Sequence, residues 1–180
     1  GKQVHDLTKG GKADEAYAMW GAQVTVREDP LSDVEGLQAS MWERIVDFAE
    51  AYNSPGLFTA FIGYEWTSLV QGNNMHRVVV YRDDGSKAGQ MVPFTTVPPQ
   101  GSTNPRDLWK WLSEYEEKTG GDVLAIAHNG NLSNGIMFPL DKQYDGKRLD
   151  KAYVQQRARW EPLYEATQIK GDGETHPFLS

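Results

Sequence analysis

Apolar and polar positions alternate along the chain in two rhythms, and each rhythm predicts an element. Leu37, Met41, Ile45, Phe48 and Tyr52 recur at three- and four-residue spacing, which predicts an amphipathic helix with a buried stripe. Ser32-Asp-Val-Glu35 before it reads as a capping box, and Asn53-Ser-Pro-Gly56 stops it. A weaker helical pattern covers residues 13–20. Residues 57–66, "LFTAFIGYEW", are aromatic, β-branched and nearly free of charge, and predict a buried strand. A polar loop at 71–74 leads to a second strand at 75–81, "MHRVVVY", which Asp83-Asp-Gly85 ends with turn chemistry.

The proline-bearing stretch 86–103 predicts a long surface connection. Asn104-Pro105 then supplies an N-cap and a proline at the first helical position. Leu108, Trp111, Leu112 and Tyr115 form the apolar face of that helix, and Gly120-Gly121 closes it. A short apolar strand at 122–127 ends in His128, a helix is predicted over 149–159, and a strand over 163–169. This order of helices and strands predicts an α/β fold, either a layer or part of a barrel, in which sites gather at the carboxyl ends of parallel strands.

Composition narrows the chemistry. The 180 residues suit one domain with a real core. The net charge of −7, with no block of Lys or Arg, speaks against nucleic acid or an anionic membrane as partner. Without cysteine, any metal must be held by His, Asp, Glu or Asn. No apolar run reaches the roughly 18 residues of a membrane span. The chain begins at Gly1 and stops at "GDGETHPFLS" with no closing element, so a fragment of a longer protein is expected.

Three ionisable residues share one placement, where an apolar strand meets a Gly/Asn-rich loop. Glu65 ends the first strand, His76 opens the second, and His128 ends the third. If the first two strands form a hairpin, and the third runs parallel to the first, all three groups meet at one end of the sheet. They would then form a ligand set for zinc, manganese or iron. Taken singly, each is more often structural than catalytic, and loop geometry alone accounts for most of Asn129, Asn131 and Asn134. A rival set is the carboxylates Glu161, Glu165 and Glu174, and Glu165 could form a glycosidase-like acid/base pair with Glu65.

Three blocks, "FIGYEWTS…GNNMHRVVVYRD", "GGDVLAIAHNGNLSNGIMF" and "RWEPLYEATQIKGDGETHPFLS", resemble the bacterial domain-of-unknown-function family 3604, placed in the polymerase-and-histidinol-phosphatase (PHP) superfamily. The resemblance runs from about residue 16 onward. It implies part of a distorted (β/α)7 barrel and a metal-dependent hydrolase, a phosphoesterase acting on a small-molecule or ester substrate. Gly63-Tyr-Glu65 matches the superfamily's glycine–x–glutamate, His76 its strand-opening histidine, and His128 its later histidine, with Asn129 where proline is common. Divalent zinc, manganese or iron is the implied cofactor, and Asn129, Asn131, Glu165 and His176 are candidates to support the ligands or touch substrate. The superfamily's His-x-His and Asp-x-His motifs do not occur here, so the resemblance implies that outside motifs complete the site. The alternative is a non-catalytic binding or scaffold domain on a degenerate barrel. Cytoplasm and periplasm fit equally well, and oligomeric state is open.

Overall fold

The computed structural model describes residues 2–25 and 35–173, with side chains described over 2–20 and 35–173. The chain divides into two compact units, Gly1–Glu35 and Gly36–Ser180. In the first, helices α1 (Lys2–Lys9) and α2 (Ala13–Thr25) pack on each other, joined through Gly11 in the left-handed region at φ 75°.

The second unit begins with helix α3 (Leu37–Tyr52), capped by Gly36 at φ 73° without a side-chain bond. Ser32, Asp33 and Val34 of the expected capping box lie outside the described residues. The stripe expected to be buried is instead exposed: Met41, Ile45, Phe48 (57%) and Tyr52 face outward, while Trp42 (3%) and Val46 are buried. This helix is apolar around much of its circumference, so periodicity alone offers two faces. The indole N–H of Trp42 decides between them by donating to the Ala88 carbonyl at 3.0 Å.

Strands β1 (Gly63–Trp66), β4 (Arg77–Tyr81), β5 (Val123–Ala127) and β6 (Leu163–Tyr164) form one sheet in the order β1-β4-β5-β6. β4 runs antiparallel to both β1 and β5, so β1 and β5 point the same way, and β6 is parallel to β5. Between β1 and β4, the short strands β2 (Leu69–Val70) and β3 (Asn73–Asn74) make a separate hairpin, with positive φ at Gln71 and Gly72. A Cβ on Gly63 would lie 2.6 Å from the Val79 carbonyl oxygen, so the close approach of β1 to β4 needs glycine there.

The strand expected over 57–66 is confined to its last four residues, and Leu57, Phe58 and Phe61 are exposed. The turn at 53–56 persists instead, with Ser54 and Phe58 paired through both of their backbone N–H groups. Likewise the strand expected over 163–169 is split. Its second half, β7 (Thr167–Gln168), pairs with β8 (Gly171–Asp172) in a hairpin of its own.

The connection over 86–103 is less superficial than expected. The short helix α4 (Gly85–Ala88) buries Ala88, and Phe94 and Met91 pack on the core. Helix α5 (Pro105–Thr119) follows the local signals: the Asn104 side chain accepts from the Arg106 amide, and Gly120 ends the helix at φ 62°. Its buried face adds Trp109 to Leu108, Trp111, Leu112 and Tyr115. Helix α6 (Lys151–Trp160), capped by Asp150, leads into β6. The main core joins Trp42, Val46, Trp66, Val79, Tyr81 and the α5 stripe with inward residues of the sheet. The result is mixed α/β with helices and small sheets.

Candidate functional site

Side chains alternate across a strand, and the core fixes which parity points inward. Trp66 of β1, Arg77, Val79 and Tyr81 of β4, and Val123, Ala125 and Ala127 of β5 are buried. Glu65, His76 and His128 occupy the opposite parity. Because β1 and β5 are parallel and β4 is antiparallel to both, the end of β1, the start of β4 and the end of β5 coincide. The His128 amide donates to the His76 carbonyl at 3.0 Å, which makes the two histidines cross-strand neighbours.

The structure brings the three groups together and adds a fourth. Nδ1 of His76 lies 2.6 Å from Oε1 of Glu65, and Nδ1 of His128 lies 2.9 Å from Oε1 of Glu165. The other oxygen of Glu165 accepts the Asn129 amide at 2.9 Å. The imidazoles are 6.3 Å apart between ring centroids, and Nε2 of His128 is 3.9 Å from Oε1 of Glu65. With a carboxylate on each Nδ1, that nitrogen carries the proton and Nε2 keeps its lone pair. Nε2 of His76 is buried and has no hydrogen-bond partner. Burial holds the His76 imidazole below its ordinary pKa, against the pull of Glu65.

The remaining candidates divide by position. Asn129 is buried in the left-handed region at φ 57°, and its side-chain carbonyl accepts from the Gln168 amide group, so it serves loop geometry and anchoring together. Asn131 donates to the Lys170 carbonyl at 3.1 Å, and Asn134 donates to the Asn73 side chain. His176 and Glu174 lie outside the described residues.

Glu161 is removed from acid/base work. Its side chain is 1% exposed and accepts from Nε of Arg77 (2.9 Å), Nε1 of Trp109 (2.8 Å) and Nη2 of Arg157 (2.8 Å). Burial alone would raise its carboxyl pKa, but the two guanidiniums outweigh burial and hold it below the ordinary value. Arg77 also donates to the Met75 carbonyl at 2.6 Å, so its side chain grips the backbone on the far side of His76. No spacing in the sequence pairs residues 77 and 161; only the alternation of "HRVVVY", which turns Arg77 inward, hints that it needs a buried partner.

A divalent cation finds a partial fit here. Two donors on one tetrahedral ion lie about 3.3–3.6 Å apart at ligand distances near 2.0–2.2 Å. The 3.9 Å between Glu65 and His128 is close to that span, and the carboxylate behind His128 is the support a ligating imidazole needs. His76 faces Glu65 directly, so it joins as a third donor only by turning Nε2 or giving up that bond. Among the described residues no group of three or more His, Cys, Asp or Glu side chains is already arranged around one point. Likewise, no helix among the described residues is long and apolar enough to cross a membrane.

No curated protein and no solved structure matches the chain. A family model does match, over residues 5–180, and its description is "Protein of unknown function (DUF3604)". Nearly the whole chain, with all four residues of the Glu–His cluster, falls within that match, and the chain belongs to this family.

Proposed function

We propose that this chain carries part of the active site of a metal-dependent hydrolase, a phosphoesterase of the PHP type, built on a distorted (β/α)7 barrel. The observation that supports this best is the convergence of Glu65, His76 and His128 at one sheet end, with Glu165 behind His128. In this reading Glu65, His76 and His128 are ligands of zinc, manganese or iron, and ligands outside these 180 residues complete the set. When bound, the cation supplies Lewis acidity toward water and a phosphoryl oxygen.

The chain's own residues do the rest. Glu165 accepts the Nδ1 proton of His128, fixes its tautomer and aims Nε2 toward Glu65. The Asn129 amide holds the second oxygen of Glu165, so the carboxylate cannot swing away from the ring. His76, kept neutral by burial, presents an unprotonated Nε2 that can ligate or accept a proton. Metal analysis of the full-length protein tests the reading. Bound metal should be lost when Glu65→Ala, His76→Ala and His128→Ala are combined, and unchanged metal content in that variant would sink the ligand assignment.

A second reading is a binding or scaffold domain that has lost catalysis. The direct His76–Glu65 bond supports it, because in both Glu–His pairs the carboxylate already engages Nδ1 without an ion between them. A folded full-length protein that binds no divalent cation would favour this reading.

A further inference from the structure

The β7–β8 hairpin starts two residues beyond Glu165 and is seated on the loop that follows His128, where a Cβ on Gly171 would lie 2.8 Å from Nδ2 of Asn131. Gln168 makes the contact that reaches the site. Its side-chain carbonyl accepts the Lys170 amide at 2.9 Å, and its Nε2 donates to the side-chain carbonyl of Asn129. The Asn129 amide donates in turn to Oε2 of Glu165 at 2.9 Å, and Oε1 of Glu165 lies 2.9 Å from Nδ1 of His128. The direction of this chain of bonds is fixed by its backbone members. A main-chain N–H can only donate, so Lys170 holds the oxygen of Gln168 on its own side and turns Nε2 toward Asn129. The Asn129 amide likewise holds Oε2 of Glu165, which leaves Oε1 to face the imidazole. Asn129 is 1% exposed and sits in the left-handed region at φ 57°. Without Gln168 its buried carbonyl loses that partner, a costly state that the loop relieves by shifting.

We propose that Gln168 is a positioning residue of this site: by holding Asn129 it holds Glu165, and so sets which ring nitrogen of His128 carries the proton. A free histidine ring favours the proton on Nε2, and the hydrogen bond to Glu165 reverses that choice. With the proton kept on Nδ1, Nε2 of His128 presents its lone pair 3.9 Å from Oε1 of Glu65. Glu165 and Gln168 lie three residues apart, so one short segment supplies both the carboxylate and its brace. The proposal rests on the hydrolase reading only for calling His128 a metal ligand. The tautomer is a property of the metal-free chain.

The test reads the His128 tautomer from imidazole nitrogen shifts in NMR of the metal-free full-length protein, at about pH 9, where a histidine ring is ordinarily neutral. Gln168→Met keeps the length of the side chain and removes both of its bonds. Asn129→Gly keeps the amide and the left-handed backbone, and removes the carbonyl that Gln168 holds. Thr167→Val removes the Thr167–Asp172 bond inside the hairpin and leaves the chain of bonds to Glu165 in place. Wild type should show chiefly the Nδ1–H form. Gln168→Met and Asn129→Gly should each move the ratio toward Nε2–H by about threefold or more, the scale of one lost neutral hydrogen bond. The double variant should move it no further, because both changes cut the same link, and Thr167→Val should match wild type. A wild type in the Nε2–H form would overturn the proposal. So would an unchanged ratio in folded Gln168→Met or Asn129→Gly, an additive double variant, or an equal shift in Thr167→Val. Metal analysis of the ligand variants is separate. If metal content ignores Glu65, His76 and His128 while the tautomer still follows Gln168, the hydrolase reading fails and the brace stands.

Discussion

Glu161 and Glu165 show how position decides what a carboxylate does. They sit four residues apart, yet Glu161 is sealed among Arg77, Arg157 and Trp109, and Glu165 opens onto His128. Removing one partner of a buried, hydrogen-bonded ion pair leaves an unpaired charge. Glu161→Ala should therefore cost about 3–5 kcal/mol, measured by urea denaturation. The pH dependence has a definite sign. The folded carboxyl lies below its ordinary 4.5, so its stabilisation is fully present above that value and fades as pH falls through the folded pKa. The acid unfolding of wild type should show this loss, and Glu161→Gln should be less stable at neutral pH but flatter below 4.5. Glu165→Gln keeps the shape of the side chain and weakens its acceptance of the His128 proton. Metal affinity of the full-length protein should fall about 10–100-fold, with stability little changed. Equal metal affinity in the variant would remove Glu165 from the site.

At the scale of elements, local signals were reliable where they were redundant. Helix α5 carries an N-cap, a proline at its start, one apolar stripe and a terminal glycine, and all four agree. β5 and the placement of Glu65, His76 and His128 were legible for a similar reason, since each group sits where an apolar run meets turn chemistry. Helix α3 carries two apolar stripes, so its periodicity does not fix the buried face, and the tertiary bond from Trp42 to Ala88 selects between them. Trp42→Ala should cost about 3–5 kcal/mol, as large-to-small changes in a core do. Phe48→Ser, on the stripe that periodicity favoured, should stay within about 0.5 kcal/mol. A large loss for Phe48→Ser would return the buried role to that face. Glu165 enters as a supporting candidate only through the family resemblance, while the role of Arg77 could not be read, because its partner lies 84 positions away.

Across the second unit, one sheet carries two kinds of surface on the same parity. Toward one end lie Glu65, His76 and His128. Further along, Phe61, Val80, Leu124, Ile126 and Leu163 line an apolar hollow of about 420 Å³. The sheet therefore has one side packed against α5 and an opposite side that is apolar along this stretch. The buried Arg77–Glu161 pair then has a whole-molecule consequence. It ties β4, beside His76, to the segment entering β6, which precedes Glu165, so the two Glu–His pairs share one brace.

The proposed function requires that Glu65, His76 and His128 hold one divalent cation. Anomalous diffraction from crystals of the full-length protein soaked in zinc locates that ion directly. A peak is expected about 2.0–2.2 Å from a Glu65 oxygen and from one ring nitrogen of each histidine. A peak bound elsewhere, with the His76–Glu65 and His128–Glu165 bonds intact and no ion between them, would contradict it.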